Sequence, residues 1–210
     1  MIKKYAKLLV LVSVIALLPV LAGLLLWDQL PEQLPFHWNT SWEVDGWCSK
    51  PFGVFGTPLI LAVIPWLSVF IMAADPKKAG HSEKMMQVLF WLFPVLSVVL
   101  HTLIYTAALG KEIRMDLLMP VLLGLLLAIC GNYLPKCKQS YTLGLKLPWT
   151  LHSEENWNRT HRFAGPIWMV GGVMMILDGF LGESWIMIAA ALVMVLAPTA
   201  YSYLLYRKGI

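Results

Sequence analysis

Six apolar runs, each close to the length of a bilayer crossing, leave this chain little choice of solvent. They occupy residues 8–27, 55–74, 86–109, 117–134, 163–181 and 185–206. A helix needs about 20 apolar residues to cross about 30 Å of hydrocarbon. Lipid offers no partner to backbone N–H and C=O groups, so such runs must bond internally as helices. The chain is 59% hydrophobic and 13% charged, against about 25% charged in an average soluble domain. The expected class is an all-α polytopic membrane protein with six transmembrane helices. Lys3, Lys4 and Lys7 make a basic start like that of a signal peptide. The apolar stretch behind them is too long for one, and no A-x-A-like site follows, so we read a retained span.

The basic residues give an orientation. Of the sixteen Lys and Arg, all but Lys50, Lys111 and Arg114 fall on one side of the six-span arrangement. The positive-inside rule puts that side in the cytoplasm, with both termini inside. The net charge of +4 then belongs to topology, and no nucleic-acid partner is expected. Cys48, Cys130 and Cys137 fall in the outer loop, the fourth span and the inner loop respectively, so no disulfide framework is expected.

Two connections are long enough to carry function: an outer loop over 28–51 and an inner loop over 135–162. We divide the chain into a two-span unit (1–75) and a four-span unit (76–210). In the outer loop Pro31 and Pro35 favour extended chain, and Asp45–Gly46 is a turn signal, so a small surface hairpin is expected. Trp38, Trp42 and Trp47 suit the headgroup level. In the inner loop Gly144 and Pro148 predict extended or turning chain. A juxtamembrane helix then starts at Ser153, with Glu154 and Glu155 on its N-terminal dipole. Glu155 with Arg159, and Trp157 with His161, stand at i,i+4. Gly165–Pro166 marks a bend or a fresh start where the fifth span begins.

Few side chains invite chemistry. Ser97, His101 and Tyr105 recur every fourth residue and put three polar groups on one face of the third span. That face either lines a proton or substrate path or bonds to neighbouring helices. Asp116, Asp178 and Glu183 lie at span ends within reach of water. His37, Asn39 and Asp45 are too few and too weak a set for zinc or calcium, so no metal or other cofactor is expected. Neither a nucleophile motif nor a phosphate loop is present, and no enzyme is expected. The Glu155, His161 and Arg162 cluster has acid, base and anion-binding groups, but it equally suits a juxtamembrane helix with snorkelling charges.

The two loops carry a resemblance. LPEQLPFHWNTSWEVDGWCSKPFGVFGTPLI (30–60) resembles an N-terminal domain of unknown function of bacterial membrane proteins, through His37, Asn39, Asp45, Gly46 and Lys50. GNYLPKCKQSYTLGLKLPWTLHSEENWNRTHRFAG (131–165) resembles the C-terminal signature of the SdpI family. Its matching positions are Asn132, Pro135, Lys136, Gly144, Pro148, Trp149, Thr150, Glu155, Trp157, Thr160, His161 and Arg162. The family pattern has Asn, Arg and Thr where this chain has Ser140, Lys146 and Leu147; lysine keeps the charge but loses the planar fork. The resemblance implies an immunity protein of the bacterial cytoplasmic membrane that protects against a secreted killing peptide. It also implies signalling, in which a small transcriptional repressor is drawn to the membrane. The two loops are then the functional segments, and the expected partners are the lipid bilayer, the toxin peptide and the repressor. A small proton-coupled transporter or channel around His101 is the alternative.

Overall fold

The computed structural model describes residues 2–76, 83–183 and 185–210; Lys77 and Lys78 of the basic set lie outside them. Among the described residues, six helices are long and apolar enough to cross a membrane. They are α1 (Ile2–Leu25), α2 (Thr57–Ala74), α3 (Glu83–Ala108), α4 (Met115–Tyr133), α6 (Glu154–Leu181) and α7 (Trp185–Arg207). Between α4 and α6 lies a five-residue helix, α5 (Pro148–His152), and between α1 and α2 a hairpin of β1 (Gln33–Trp38) and β2 (Val44–Ser49). By packing, the described residues form two compact units, one within 1–74 and 83–113 and the other within 75–82 and 114–210. The third span therefore packs with the first two.

In the first unit, α3 buries Met86, Phe90, Pro94, Ser97, His101, Ile104 and Tyr105, steps of three and four that make one continuous inward face. Leu9, Val12 and Ala16 of α1 are buried with the same helical spacing. Tyr5 meets Phe90 edge to face at 5.4 Å, and Lys4 pairs with Glu83. The hairpin is seated by its root: Leu30, Leu34, Val54, Ile104 and Tyr105 form one buried cluster. A π-helical turn, Phe52–Gly56, joins β2 to α2.

The second unit is organised by glycines seven residues apart. Gly124 and Gly131 of α4 face Gly172 and Gly165 of α6, antiparallel, and Gly179 meets Leu117. A Cβ on Gly124 would lie 2.4 Å from the Gly172 carbonyl oxygen, so only hydrogen fits and the backbones touch. α7 packs on α6, and α5 bridges the two.

Each spanning helix has an interior proline: Pro19, Pro65, Pro94, Pro120, Pro166 and Pro198. A proline removes the donor for the carbonyl four residues earlier, and in a bilayer another group must replace it. Trp168 Nε1 donates to the Met194 carbonyl at 3.0 Å, the one that Pro198 leaves open. Ser13 and Ser97 donate to the Ala62 and Ala16 carbonyls at 2.8 and 2.7 Å, three residues before Pro65 and Pro19, where the ring strains the turn.

Three local expectations are corrected. Asp45–Gly46 lies inside β2 and not at the turn; Gly46 pairs with His37. The chain reverses at Asn39, whose Oδ1 accepts from Ser41 N at 2.9 Å and Glu43 N at 3.0 Å, a side-chain turn that outweighs the Asp-Gly signal. Gly165–Pro166 does not restart the chain: α6 is continuous from Glu154 to Leu181. Pro166 opens only the carbonyl of Arg162, at the exposed end of the helix. Pro148 begins α5 instead of holding the chain extended, as suits a residue at the first helical position.

Candidate functional site

The hairpin presents its expected residues in two ways. His37 Nδ1 meets Asp45 Oδ1 at 2.5 Å across the strands, with both side chains exposed. Asn39 makes the turn, and its Nδ2 reaches Glu43 Oε2 at 3.4 Å. Phe36 and Trp47 are exposed beside them. Lys50 is the opposite case. Its side chain is 7% exposed, 2.9 Å from Glu32 Oε1, 3.3 Å from the Trp27 carbonyl and 5.1 Å from the Trp27 ring. A desolvated ammonium needs such partners, so Lys50 fastens the hairpin's root. Partial burial pushes the Cys48 thiol up from its ordinary value, away from the thiolate that reacts.

The second long loop turns its polar groups inward. Leu145 N donates to His161 Nε2 at 2.9 Å, and His161 Nδ1 donates to the Trp157 carbonyl at 2.8 Å, which fixes the neutral Nδ1–H tautomer. The His161 and Trp157 rings stack at 4.1 Å, and Trp157 Nε1 donates to the Cys137 carbonyl at 2.9 Å. Gly144, at φ +108°, lies against both rings; a Cβ there would be 2.6 Å from His161 Nε2. Thr150 Oγ1 lies 2.9 Å from the Leu145 carbonyl and accepts from Leu147 N at 2.9 Å. Asn156 Nδ2 donates to the Ser202 carbonyl at 3.0 Å, and its Oδ1 accepts from Thr160 Oγ1 and Ser202 Oγ at 3.1 and 2.7 Å. Ser153 caps α6 by accepting from Asn156 N at 3.2 Å, as its position in the sequence predicts. Burial pushes the Cys137 thiol up to about 11, with Cys130 a lesser cause.

Other candidate residues of the second loop stay outside. Asn132, Lys136, Lys146, Pro148, Glu155 and Arg162 are exposed. Glu155 pairs with Arg159 at 2.5 Å, Lys136 lies 4.9 Å from the Tyr133 ring, and Lys146 Nζ reaches the Thr142 carbonyl at 3.3 Å. Trp149 packs against Tyr203 and Tyr206 at 5.5 and 5.9 Å. Glu155, His161 and Arg162 therefore do not form one cluster: His161 is buried while the other two point out. Asp178 is also corrected. It is 3% exposed, and its Oδ1 is buried without a hydrogen-bond partner among the described residues.

Ser97, His101 and Tyr105 do face inward, exposed by 0, 1 and 4%. Tyr105 OH donates to the Pro19 carbonyl at 3.2 Å, and His101 lies between the Ser97 carbonyl, at 2.7 Å, and Thr57 Oγ1, at 2.6 Å. The bonds of Ser97 and Tyr105 to α1 are interhelical bonding, one of the two readings the spacing allowed.

Asp75 belongs to no motif in the sequence. It is 3% exposed and accepts from Ser140 Oγ at 2.7 Å, Tyr141 N at 3.0 Å and Thr142 Oγ1 at 3.1 Å. Ser140, a departure from the family pattern, is thus well used. Among the described residues, no three His, Cys, Asp or Glu are grouped to hold a metal ion.

Comparison with known proteins fits this layout. Residues 136–202 match the SdpI/YfhL protein family, and residues 14–62 match a domain of unknown function, DUF1648. Immunity protein SdpI of Bacillus subtilis (strain 168) is 29% identical over 198 residues, covering 93% of this chain and 94% of that protein. The chain is thus similar to the SdpI/YfhL family over its C-terminal third and to this immunity protein over most of its length. With its six spanning helices it is a multi-pass protein of the cell membrane. No solved structure matches it. The SdpI match holds the His161, Trp157 and Asn156 network, and the DUF1648 match holds the hairpin and the π-turn.

Proposed function

We propose that this protein confers immunity, protecting the membrane of its cell against a secreted killing peptide that the hairpin meets from outside. The observation that carries this reading is end-to-end similarity to a protein named as an immunity protein, over both loops and all six spans. The hairpin suits the task chemically. Exposed Phe36 and Trp47 stand beside the acidic Glu32, Glu43 and Asp45, a surface complementary to an apolar cationic peptide. The distribution of basic residues supports an orientation with the hairpin outside and the second loop inside. In the finer form of the proposal, the second loop draws a small repressor to the inner face when toxin is bound. Its exposed Lys146, Glu155, Arg159 and Arg162 supply the contact.

The test is survival. Expressed in a sensitive Gram-positive host, the protein shifts the killing curve of a family-type peptide to higher dose, and His37→Ala with Asp45→Ala abolishes the shift while membrane levels stay normal. An unshifted curve for the well-expressed wild type overturns the immunity reading. A full shift for the double variant removes the hairpin from it.

A further inference from the structure

The surroundings of His101 raise a question of hydrogen count. Its Nδ1 lies 2.7 Å from the Ser97 carbonyl oxygen, and its Nε2 lies 2.6 Å from Thr57 Oγ1. Thr57 Oγ1 in turn lies 2.9 Å from the Gly53 carbonyl oxygen. The chain of three contacts thus begins and ends on carbonyl oxygens, which bring no hydrogen. A neutral imidazole has one N–H and threonine one O–H, two hydrogens for three contacts.

Each neutral arrangement fails at one point. With the proton on Nδ1, the threonine hydroxyl has to choose between Nε2 and the Gly53 carbonyl. With the proton on Nε2, the bare Nδ1 lone pair faces the lone pairs of the Ser97 carbonyl at 2.7 Å. The imidazolium fills all three contacts: Nδ1–H to Ser97, Nε2–H to Thr57, and Thr57 O–H to Gly53. We propose that His101 is a proton-binding site inside the first unit, and that its doubly protonated form holds the π-turn at the root of the hairpin against α3.

The π-turn explains why the far acceptor is open. Thr57 N donates to the Phe52 carbonyl, five residues back, and so does not serve Gly53. The next donor in that register is Pro58, which has no N–H. The Gly53 carbonyl is left to a side chain, and the Thr57 hydroxyl takes it. A π-turn inside a helical run is a frequent mark of a functional position.

Few charged groups bear on the ring. On its own helix, Tyr105 meets it edge to face at 5.8 Å. α1 contributes the Ala16 and Pro19 carbonyls to the neighbouring Ser97 and Tyr105, and the π-turn contributes Gly53 and Thr57; none is charged. The cation on the hairpin side is Lys50, matched by Glu32 at 2.9 Å. Burial opposes the second proton, while the aligned acceptors favour it. Loss of the second proton leaves one of the three contacts without a hydrogen. The π-turn is then less firmly tied to α3.

The test is nitrogen NMR of the full chain, labelled with 15N-histidine in lipid nanodiscs, titrated from about pH 5 to about pH 9. The His101 signals are assigned by their loss in His101→Asn; if that variant does not fold, they are the ones that move in Thr57→Ser. Two protonated nitrogens at the acid end, converting to one protonated and one bare nitrogen at the alkaline end, are expected. Thr57→Val removes the middle partner and weakens proton binding about tenfold, a midpoint about one pH unit lower, and Thr57→Ser restores it. A bare nitrogen at every pH in the wild type overturns the proposal, as does a Thr57→Val protein that titrates unchanged. The readout is spectroscopic and separate from toxin survival, so either result can fail without the other.

Discussion

The hairpin and the second long loop are both rich in tryptophan and polar groups, yet they use them in opposite directions. The hairpin keeps His37, Asp45 and Glu43 exposed and buries Leu34, Pro35 and Lys50 at its root. The second loop buries Thr150, Asn156, Trp157, Thr160 and His161 to 1% exposure or less and leaves charges outside. A polar side chain that is buried and fully bonded is expensive to alter, whereas an exposed ion pair contributes little to stability. Similar-looking motif residues therefore do different work: those of the second loop shape the fold, and those of the hairpin are free to meet a partner.

The comparison can be broken most forcefully at Gly144. Gly144→Val places a branched side chain at φ +108°, into space that His161 and Trp157 fill. Strain and overlap together cost about 3 kcal/mol or more, seen as lost folded yield or a large fall in Tm in detergent. Asn156→Ala strands the Ser202 and Thr160 hydroxyls and costs about 2–3 kcal/mol, read by the same melting assay. Ser97→Ala removes one bond to α1 and costs about 1 kcal/mol. His37→Ala with Asp45→Ala changes Tm least, by the equivalent of about 0–1 kcal/mol, even where it abolishes toxin protection. If that pair destabilised the chain as much as Asn156→Ala, the contrast between the loops would collapse.

The spans and the capping serine were legible because they depend on local pattern alone. Run length gave the six helices, and Ser153 with its following glutamates gave the start of α6. The turn at Asn39 was not, because Asp45–Gly46 is the stronger local signal and only cross-strand pairing rules it out. The continuity of α6 through Pro166 was hidden for a similar reason: a proline breaks a helix in water but is tolerated where neighbours and the exposed end supply partners. The seven-residue glycine spacing at 124 and 131, and at 165, 172 and 179, was available in the sequence and was not read. Inward direction was the largest gap. Nothing in the spacing of Glu155, His161 and Arg162 says that only the histidine turns in, because that depends on Gly144 and Leu145 arriving from the far side of the loop.

One further effect is confined to alkaline pH and concerns Cys137. Burial raises its thiol from 9.0 to about 11, so the folded protein keeps the proton where the unfolded chain has lost it. This contribution to stability is complete below about pH 9 and declines as pH rises toward 11. A thiolate-directed label therefore reacts with folded Cys137 slowly at neutral pH and speeds up only toward the alkaline end. Cys137→Ser removes that labelled product.

The interior prolines constrain the order in which the chain is made. A helix emerging into the bilayer with Pro19, Pro65 or Pro198 has a weakened or missing rung until another segment supplies a hydroxyl or indole. For α1 that donor is Ser97, translated some eighty residues later; for α2 it is Ser13, already waiting; for α7 it is Trp168, just ahead of it. The first span is thus without its Ser97 bond through the synthesis of the second.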